Sequence, residues 1–571
     1  MEEHSQKQEI HHEQHSSQKI EERKDKIKSW LKDPYNLTLV GILVFAFAIR
    51  LYYFWMTKNQ PLWWDEADYM AYAKNLAGFQ TSWIVTPQHN SLFPFIAALF
   101  FKIGFSDTII KFFLEIVPSF FVVLLSYLIC KNLYEDKRIA LISAFIVSVF
   151  WEFLFDSMRF HLESLALMTG LLSVYVFFKG YERKEKIFGK IDPKWTMLLT
   201  VILVIITYSI RRGFFMFGLF FLLYLIFTKK FSSLIRDKYN WISLIIALAA
   251  LFFVEKFIFV SPITEVVQTY YSGGTPLNLI PLQVFKSYFE NIFNPSFSVL
   301  LYLFWIGLFV IVINVALSIG YLKSDKNIGA KSNLFVLLTI LITLSYFIIY
   351  QRVTYFAEPR WYYPLLLSSA ICIANGVLTL GDYIKKYSKY LAIIFIFSLM
   401  LYGGYYELRH ADDIIKNKID SYSGIREAAI FIKEISSPDD IIISVPVPQP
   451  AYYAERKVIS PSTDLLQMGP ADTTLQEFLN KIKGNLSLKY IIVTFSEPNH
   501  PAWMRKETYI QDPQTGQARY ATWEIPFMNT TIDFINNKQD IKQSMTYGNI
   551  TFKLLTIKQD AFIYEIESEI S

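Results

Sequence analysis

The sequence predicts a mainly α fold: a polytopic transmembrane helical bundle of about eleven spans, followed by a C-terminal soluble α/β domain. Three observations predict it. Of 571 residues, 53% are hydrophobic and 17% aromatic, with a mean hydropathy of +0.30. That is too apolar for a soluble globular protein of this length. The apolar residues fall into runs long enough to cross hydrocarbon. The runs stop after about Tyr406, where charge, Pro, Asp and Asn rise.

Residues 1–36 read as a cytosolic polar tail. His4, His11, His12 and His15 lie there among Glu, Gln and Lys, in a stretch with nothing to build a core. The first apolar run starts too late and runs too long for a signal peptide, so a retained, anchoring first helix is expected. Arg23, Lys24, Lys26, Lys28 and Lys32 precede it and place the N-terminus in the cytosol by the positive-inside rule.

The expected spans are approximately 37–56, 108–130, 138–155, 162–180, 195–210, 213–228, 240–260, 296–318, 332–350, 361–380 and 390–407. The run Leu92–Gly104 is apolar but short, with Pro94 near its start. Counting it as a span would turn every Lys/Arg-rich loop outward, so it reads as an interfacial helix within a first outer loop, 57–107. Residues 37–410 then form the membrane bundle and 411–571 an extracytoplasmic α/β domain. In that domain Ile425–Ile435 and Thr473–Lys483 have helical spacing, Asp440–Val445 and Tyr490–Phe495 read as strands, and Thr551–Ile557 with Ala561–Ile566 as a hairpin. Sequons begin at Asn485, Asn529 and Asn549.

The net charge of +5 is small for this length and does not suggest nucleic acid. Cys130 and Cys372 both lie in apolar runs, so neither a disulfide framework nor a Cys metal site is indicated. The topology gathers polar residues at one membrane face: Asp65 and Glu66 after Trp63-Trp64, then His89, then Asp156, Arg159, His161 and Glu163, then Arg211 and Arg212, then Gln351, Arg352, Glu358 and Arg360. A basic pair on the outer side defies the positive-inside trend and needs an anionic partner.

Chemistry on an outer face has no ATP to draw on, so a transferase there needs an activated donor delivered through lipid. A polyprenyl-phosphate sugar fits. Its transfer needs a carboxylate to take the acceptor hydroxyl's proton. It also needs cations or a metal against the leaving phosphate. Asp65 or Glu66 suits the first task. Arg159, Arg211, Arg212 and Arg360 suit the second, since a guanidinium presents a planar fork to phosphate oxygens. His89 suits phosphate or a divalent metal.

The layout resembles the GT-C glycosyltransferases, in the branch holding the protein O-mannosyltransferases (glycosyltransferase family 39) and the lipid A aminoarabinose transferase. The resemblance covers about 37–410. It rests on Trp64-Asp65-Glu66-Ala67-Asp68-Tyr69, on His89-Asn90-Ser91-Leu92-Phe93-Pro94 and on Asp156-Ser157-Met158-Arg159-Phe160-His161-Leu162-Glu163. Tyr208-Ser209-Ile210-Arg211-Arg212-Gly213 and Glu358-Pro359-Arg360-Trp361-Tyr362-Tyr363-Pro364 complete it. It implies inverting sugar transfer from polyprenyl (dolichyl) phosphate to a protein or lipid-linked acceptor, with Asp65 at the position of the base, Glu66 beside it and Glu163 at the second acidic position. His89 falls near positions linked to metal or phosphate in relatives. Three departures stand out: Asn90-Ser91 replaces the usual Pro-Pro, Ile116 stands where an Arg is expected, and Arg211-Arg212 replaces a Lys. Oligosaccharyltransferase catalytic subunits share the layout, but their outer-domain Trp-Trp-Asp-Tyr-Gly motif does not occur after Glu407. The alternative is a transporter or flippase of lipid-linked saccharides, which would carry charges at mid-membrane and broken helices in matched positions.

Overall fold

The structure is a computed structural model describing residues 25, 28–79, 81, 91–259, 298–324, 327–354, 358–461, 474–483, 487–496, 500–511 and 518–568. His89, Asn485 and the His-rich tail lie outside the described residues.

Helix lies along each of the eleven expected spans, in one case as two helices, and among the described residues nine helices are long and apolar enough by themselves to cross a membrane. The chain is a multi-pass membrane protein. Its spans expose large apolar side chains such as Phe252, Phe309 and Phe397, as lipid-facing helices do. Helix α1 (Pro34–Thr57) starts where Asp33 accepts a hydrogen bond from the Tyr35 amide at 3.0 Å and Pro34 occupies the first turn. Helix α2 (Trp64–Ala77) opens with Asp65 and Glu66 in its first turn, where the helix dipole favours anions, and closes on Gly78 at φ +94°. Helix α3 (Leu92–Lys102) is the short apolar helix expected at the interface, capped by Ser91.

The second span, α4 (Asp107–Tyr134), carries a π-helical turn at Phe112–Ile116, and α7 (Leu162–Glu182) ends in another at Phe177–Glu182. The expected span 138–155 is instead two helices, α5 (Lys137–Val149) and α6 (Trp151–Asp156), broken at Phe150. The break frees a buried amide, which Glu407 satisfies: the Trp151 N–H donates to Glu407 Oε2 at 2.8 Å. Helices α8 (Pro193–Ile210) and α9 (Arg212–Thr228) meet at the basic pair, and α10 (Phe231–Arg236) leads into α11 (Lys238–Phe257).

Helices α12 (Ser298–Ser318), α13 (Ile328–Thr354) and α14 (Leu366–Lys385) complete the middle of the bundle, with a 3₁₀ segment, Pro359–Leu365, leading into α14. α12 and α14 cross backbone to backbone. A Cβ added at Gly307 would lie 1.7 Å from the Cys372 carbonyl oxygen, and one at Gly376 would lie 2.1 Å from that of Leu303. Small residues permit such a crossing in lipid, where close packing drives helix association.

The last span, α15 (Lys389–Lys418), continues beyond the membrane run as one helix, so the change of composition after Tyr406 falls inside a continuous element. The C-terminal domain follows with α16 (Ser423–Ile435), β1 (Ile441–Ser444), α17 (Pro448–Ala454), β2 (Lys457–Ile459), α18 (Leu475–Ile482) and β3 (Leu488–Thr494). Seven strands end the chain: β4 (Lys506–Gln511), β5 (Ala518–Ile525), β6 (Thr530–Asp533), β7 (Lys538–Asp540), β8 (Ser544–Tyr547), β9 (Ile550–Lys558) and β10 (Ala561–Ser568). One mixed sheet runs β2-β1-β3-β10-β9-β8, with β1 parallel to β2 and β3, and the expected hairpin is its antiparallel β9/β10 pair. A second, antiparallel sheet, β4-β5-β6-β7, was not foreseen. Asn529 and Asn549 are both exposed in this domain.

The C-terminal domain grips α2. The Leu62 amide donates to the Tyr453 hydroxyl at 2.8 Å, Lys74 pairs with Glu455 at 3.0 Å, and the Tyr452 hydroxyl donates to Asp107 at the head of α4.

Candidate functional site

Nine of the residues expected at one face, Asp65, Glu66, Asp156, Arg159, His161, Glu163, Arg211, Glu358 and Arg360, converge at one end of the bundle, drawn from four separate stretches of chain, while the side chains of Gln351 and Arg352 lie outside the described residues. Arg360, in the 3₁₀ segment before α14, donates through Nη2 to Asp65 Oδ2 at 2.6 Å and through Nε to Glu358. Its Nε also lies 3.9 Å from Glu163 Oε1, and Arg211 Nη2 approaches the same oxygen at 3.2 Å. Asp65, Arg360, Glu163 and Arg211 thus form a chain of alternating charge. Burying a charge is costly unless it is matched, and each member here has an opposite neighbour.

The four residues differ in access. The Asp65 side chain is 27% exposed and the Arg211 side chain 21%, while Glu163 is 1% exposed. Asp65 and Arg211 therefore face the accessible side of the cluster, and Glu163 is its buried anchor. Tyr69, one turn after Asp65 on α2, is buried in the fields of Asp65, Arg211, Glu163 and Arg360. Burial first, and the Asp65 charge second, push its hydroxyl well above 10, so it stays a proton donor.

Glu66 lies apart from Asp65 although adjacent in sequence, because successive helical residues point about 100° apart. It is 2% exposed and accepts from Arg159 Nε, with His161 Nε2 3.7 Å away. His161 Nδ1 lies 3.2 Å from Asp156, which also accepts from the Tyr363 hydroxyl. Arg159 is 1% exposed, its guanidinium stacked on the Trp63 ring at 3.7 Å, and its two terminal nitrogens have no hydrogen-bond partner. This buried network fastens the loop between α6 and α7 beneath α2. Tyr363 and Arg360 sit on one 3₁₀ segment, so the network and the charge chain share a support.

Arg212 does not join the cluster. Its Nη2 lies 3.6 Å from Glu255 of α11, which also accepts from the Tyr208 hydroxyl, and its guanidinium covers the Phe259 ring at 3.8 Å. Both members of the basic pair therefore find protein carboxylates, Glu163 and Glu255, and they point to different places.

Sequence reasoning did not single out Tyr69, Tyr363 or Glu115. Glu115 is fully buried in the π turn of α4, beside Ile116, where the resemblance led one to look for an Arg. Among the described residues, no group of three or more His, Cys, Asp or Glu is placed to hold a metal ion. Asp65, Glu163 and Glu358 are each matched by a guanidinium.

A family model described as dolichyl-phosphate-mannose-protein mannosyltransferase matches residues 88–254. The oligosaccharyltransferase of Archaeoglobus fulgidus in its apo form superposes with a TM-score of 0.58 at 13% identity, over 88% of this chain and 76% of that one. The same organism's AglB, in complex with an inhibitory peptide and a dolichol-phosphate, gives 0.55 at 13% identity over 86% and 74%. ArnT from Cupriavidus metallidurans bound to undecaprenyl phosphate gives 0.55 at 9% identity over 93% and 97%. No curated protein matches the chain by sequence. At these identities the likeness establishes the fold.

Proposed function

We propose that this chain, which has the GT-C fold of the membrane glycosyltransferases, moves a sugar from a polyprenyl-phosphate donor to a hydroxyl of a protein or lipid-linked acceptor on the outer membrane face, with inversion. The observation that carries the reading is the Asp65–Arg360–Glu163–Arg211 chain at one end of the bundle. It supplies an accessible carboxylate and two guanidinium groups within one cluster. The fold neighbours that hold dolichol-phosphate or undecaprenyl phosphate support the donor class.

Asp65 acts as the base. It takes the proton of the acceptor hydroxyl as that oxygen bonds to the anomeric carbon, while the bond from that carbon to the phosphate oxygen breaks. The leaving polyprenyl phosphate carries away the electron pair, and Arg360 and Arg211 offset its growing charge. Arg360 couples the two events. A phosphate competes with Asp65 for the guanidinium, and binding of the donor leaves the carboxylate free for the acceptor proton. Glu163 holds both arginines in register from beneath. Tyr69 offers a hydroxyl hydrogen bond to the same cluster. Glu66, Arg159, His161 and Asp156 hold α2 and the next loop at fixed spacing, which is the preorganisation such a displacement requires.

The test is donor turnover. Purified protein in lipid is incubated with a panel of polyprenyl-phosphate sugars, and free polyprenyl phosphate is followed beside an Asp65→Asn control. Release by the wild type and not by the variant is expected, and the active donor names the sugar. No release with any donor, from protein shown to be folded, would overturn the reading.

A further inference from the structure

Helix α5 ends at Val149 and α6 starts at Trp151, with Phe150 between them at ψ 114°. An unbroken helix would join the Trp151 amide to the Val147 carbonyl and the Glu152 amide to the Ser148 carbonyl. The break leaves a donor and an acceptor in the bundle interior, and each is taken by a charged side chain from a distant span. Glu407 of α15, the last span, accepts from the Trp151 N–H at 2.8 Å. Arg50 of α1, the first span, donates through Nη1 to the Ser148 carbonyl at 3.2 Å. There it also faces the negative end of the α5 dipole.

Arg50 is held in place by two further bonds. Its Nε donates to Ser119 Oγ of α4 at 3.0 Å, and Nη1 donates also to the Ala46 carbonyl of its own helix at 3.2 Å. Its Nη2 is buried without a hydrogen-bond partner, and the residue is 0% exposed. Glu407 is 1% exposed, and its Oε1 has no hydrogen-bond partner either. Neither residue forms an ion pair with a described residue, so two opposite charges are buried singly, one at each end of the break.

Ionised groups inside a membrane bundle are costly. Satisfying one carbonyl and one amide could be left to a hydroxyl or a buried water. What the break does to α6 gives the charges a further use. The Phe153 ring of α6 meets the Tyr363 ring edge-on at 5.4 Å, and Asp156 of α6 accepts from the Tyr363 hydroxyl. Tyr363 stands three residues after Arg360 in one 3₁₀ segment, so the two share a face of it. Arg50 reaches this line through Phe153, its guanidinium 5.8 Å from the centre of that ring. Glu407 reaches it through a small apolar cavity, whose wall it forms together with Phe150, Tyr362 and Tyr363. The contacts thus run from the first and last spans to the segment that aims Arg360 at Asp65.

We propose that Arg50 and Glu407 are positioning residues for the Asp65–Arg360 cluster. They lock the α5/α6 break from its two ends, and α6 in turn holds the segment that presents Arg360. The kinetic consequence rests on the sugar-transfer reading; the structural one rests on the geometry alone.

The test uses the full chain in lipid and two readouts. The first is hydrogen exchange by mass spectrometry, without donor, over residues 148–156 and 358–366. Arg50→Met and Glu407→Leu are each expected to speed exchange by about tenfold in both stretches, although neither residue belongs to either one. Faster exchange in 148–156 alone, or in neither, overturns the proposal. The second readout is turnover of the active donor, with kcat and KM separated and rates scaled to folded protein. Both variants are expected to lose about tenfold or more in kcat, with KM within about twofold of wild type. Glu407→Gln, which keeps an acceptor for the Trp151 amide, is expected to regain most of that loss. In an Arg360→Lys background, Arg50→Met is expected to lower kcat by less than about threefold further, because the two act through one segment. A wild-type kcat, or the full loss in both backgrounds, overturns the proposal. Arg50→Lys, which cannot reach Ser119 and Ser148 together, takes the place of Arg50→Met if that variant does not fold, and is held to the same outcomes. Absence of turnover by the wild type would defeat the sugar-transfer reading, and exchange would still decide whether the two charges hold the segment.

Discussion

Arg360 Nη2 stands 2.6 Å from Asp65 Oδ2, a contact between residues 295 positions apart in the chain. It joins the segment after the first span to the segment leading into a late span, and it brings an accessible carboxylate into the same cluster as the guanidinium groups. The chemistry proposed for the site turns on this pair.

Removing the charge of Asp65 tests it most directly. Asp65→Asn is expected to lower turnover by about 10²–10⁴-fold, the usual contribution of a general base. Thermal unfolding in detergent should stay close to wild type, because Asp65 is partly exposed. Turnover near the wild-type rate would remove Asp65 from the mechanism.

Arg360→Lys retains charge but loses the fork that reaches Asp65, Glu358 and Glu163 together. Turnover should fall on the order of 10²-fold, mostly in kcat, if the guanidinium acts on the leaving phosphate as charge develops. A change confined to KM would make it a ground-state anchor only.

Glu66→Gln should behave differently from its neighbour's substitution. Arg159 would lose its hydrogen-bonded carboxylate while remaining 1% exposed. Breaking a buried pair from one side costs about 3–5 kcal/mol. The expected result is a large drop in unfolding temperature, and an unchanged melt with lost turnover would reassign Glu66 to the chemistry.

The α12/α14 crossing leaves no room for a side chain, since the obstructing atoms at Gly307 and Gly376 are backbone carbonyls. Gly376→Val should destabilise the bundle by at least about 1–3 kcal/mol, as overpacking does. Thermal melts and expression yield report it; wild-type values for both would mean that the crossing relaxes.

Glu455 sets a pH dependence for the grip of the C-terminal domain on α2. Burial raises its carboxyl, but hydrogen bonds from Lys433 and Lys74 outweigh burial and hold it below the usual carboxylate range. A depressed folded value means the stabilisation is complete above the unfolded pKa, about 4.3, and is lost as pH falls through the folded one. The unfolding temperature should therefore fall on acidification below about pH 4, with Glu455→Gln lacking that component. Identical profiles would show that the pair contributes nothing.

The spans were legible because lipid demands long apolar runs, and every expected run but 138–155, which is two helices, is matched by a single long helix. The break at Phe150 was not, because what makes it tolerable is Glu407, a carboxylate 256 positions away. Asp65, Glu163, Arg211 and Arg360 were legible as a set through one topological argument: ionised residues at span ends on one face must meet. The same argument placed Arg212 with them, and it fails there because Glu255 lies nearer, on a span whose packing the sequence does not reveal. The second sheet was missed because β4, Lys-Glu-Thr-Tyr-Ile-Gln, is largely exposed and carries no apolar alternation. Helix α17 was missed because Pro448 and Pro450 read as loop, while its partners lie on α2.

The grip of Tyr452, Tyr453 and Glu455 on α2 and α4 has a bearing on how such proteins can be recombined. The segment bearing Asp65 comes early in the chain and the residues that hold it come late, so a cut between bundle and C-terminal domain severs a joint rather than a hinge. An exchange of C-terminal domains between related chains would have to transplant residues 57–107 along with 411–571. Two stretches far apart in the gene would then travel as one inherited module.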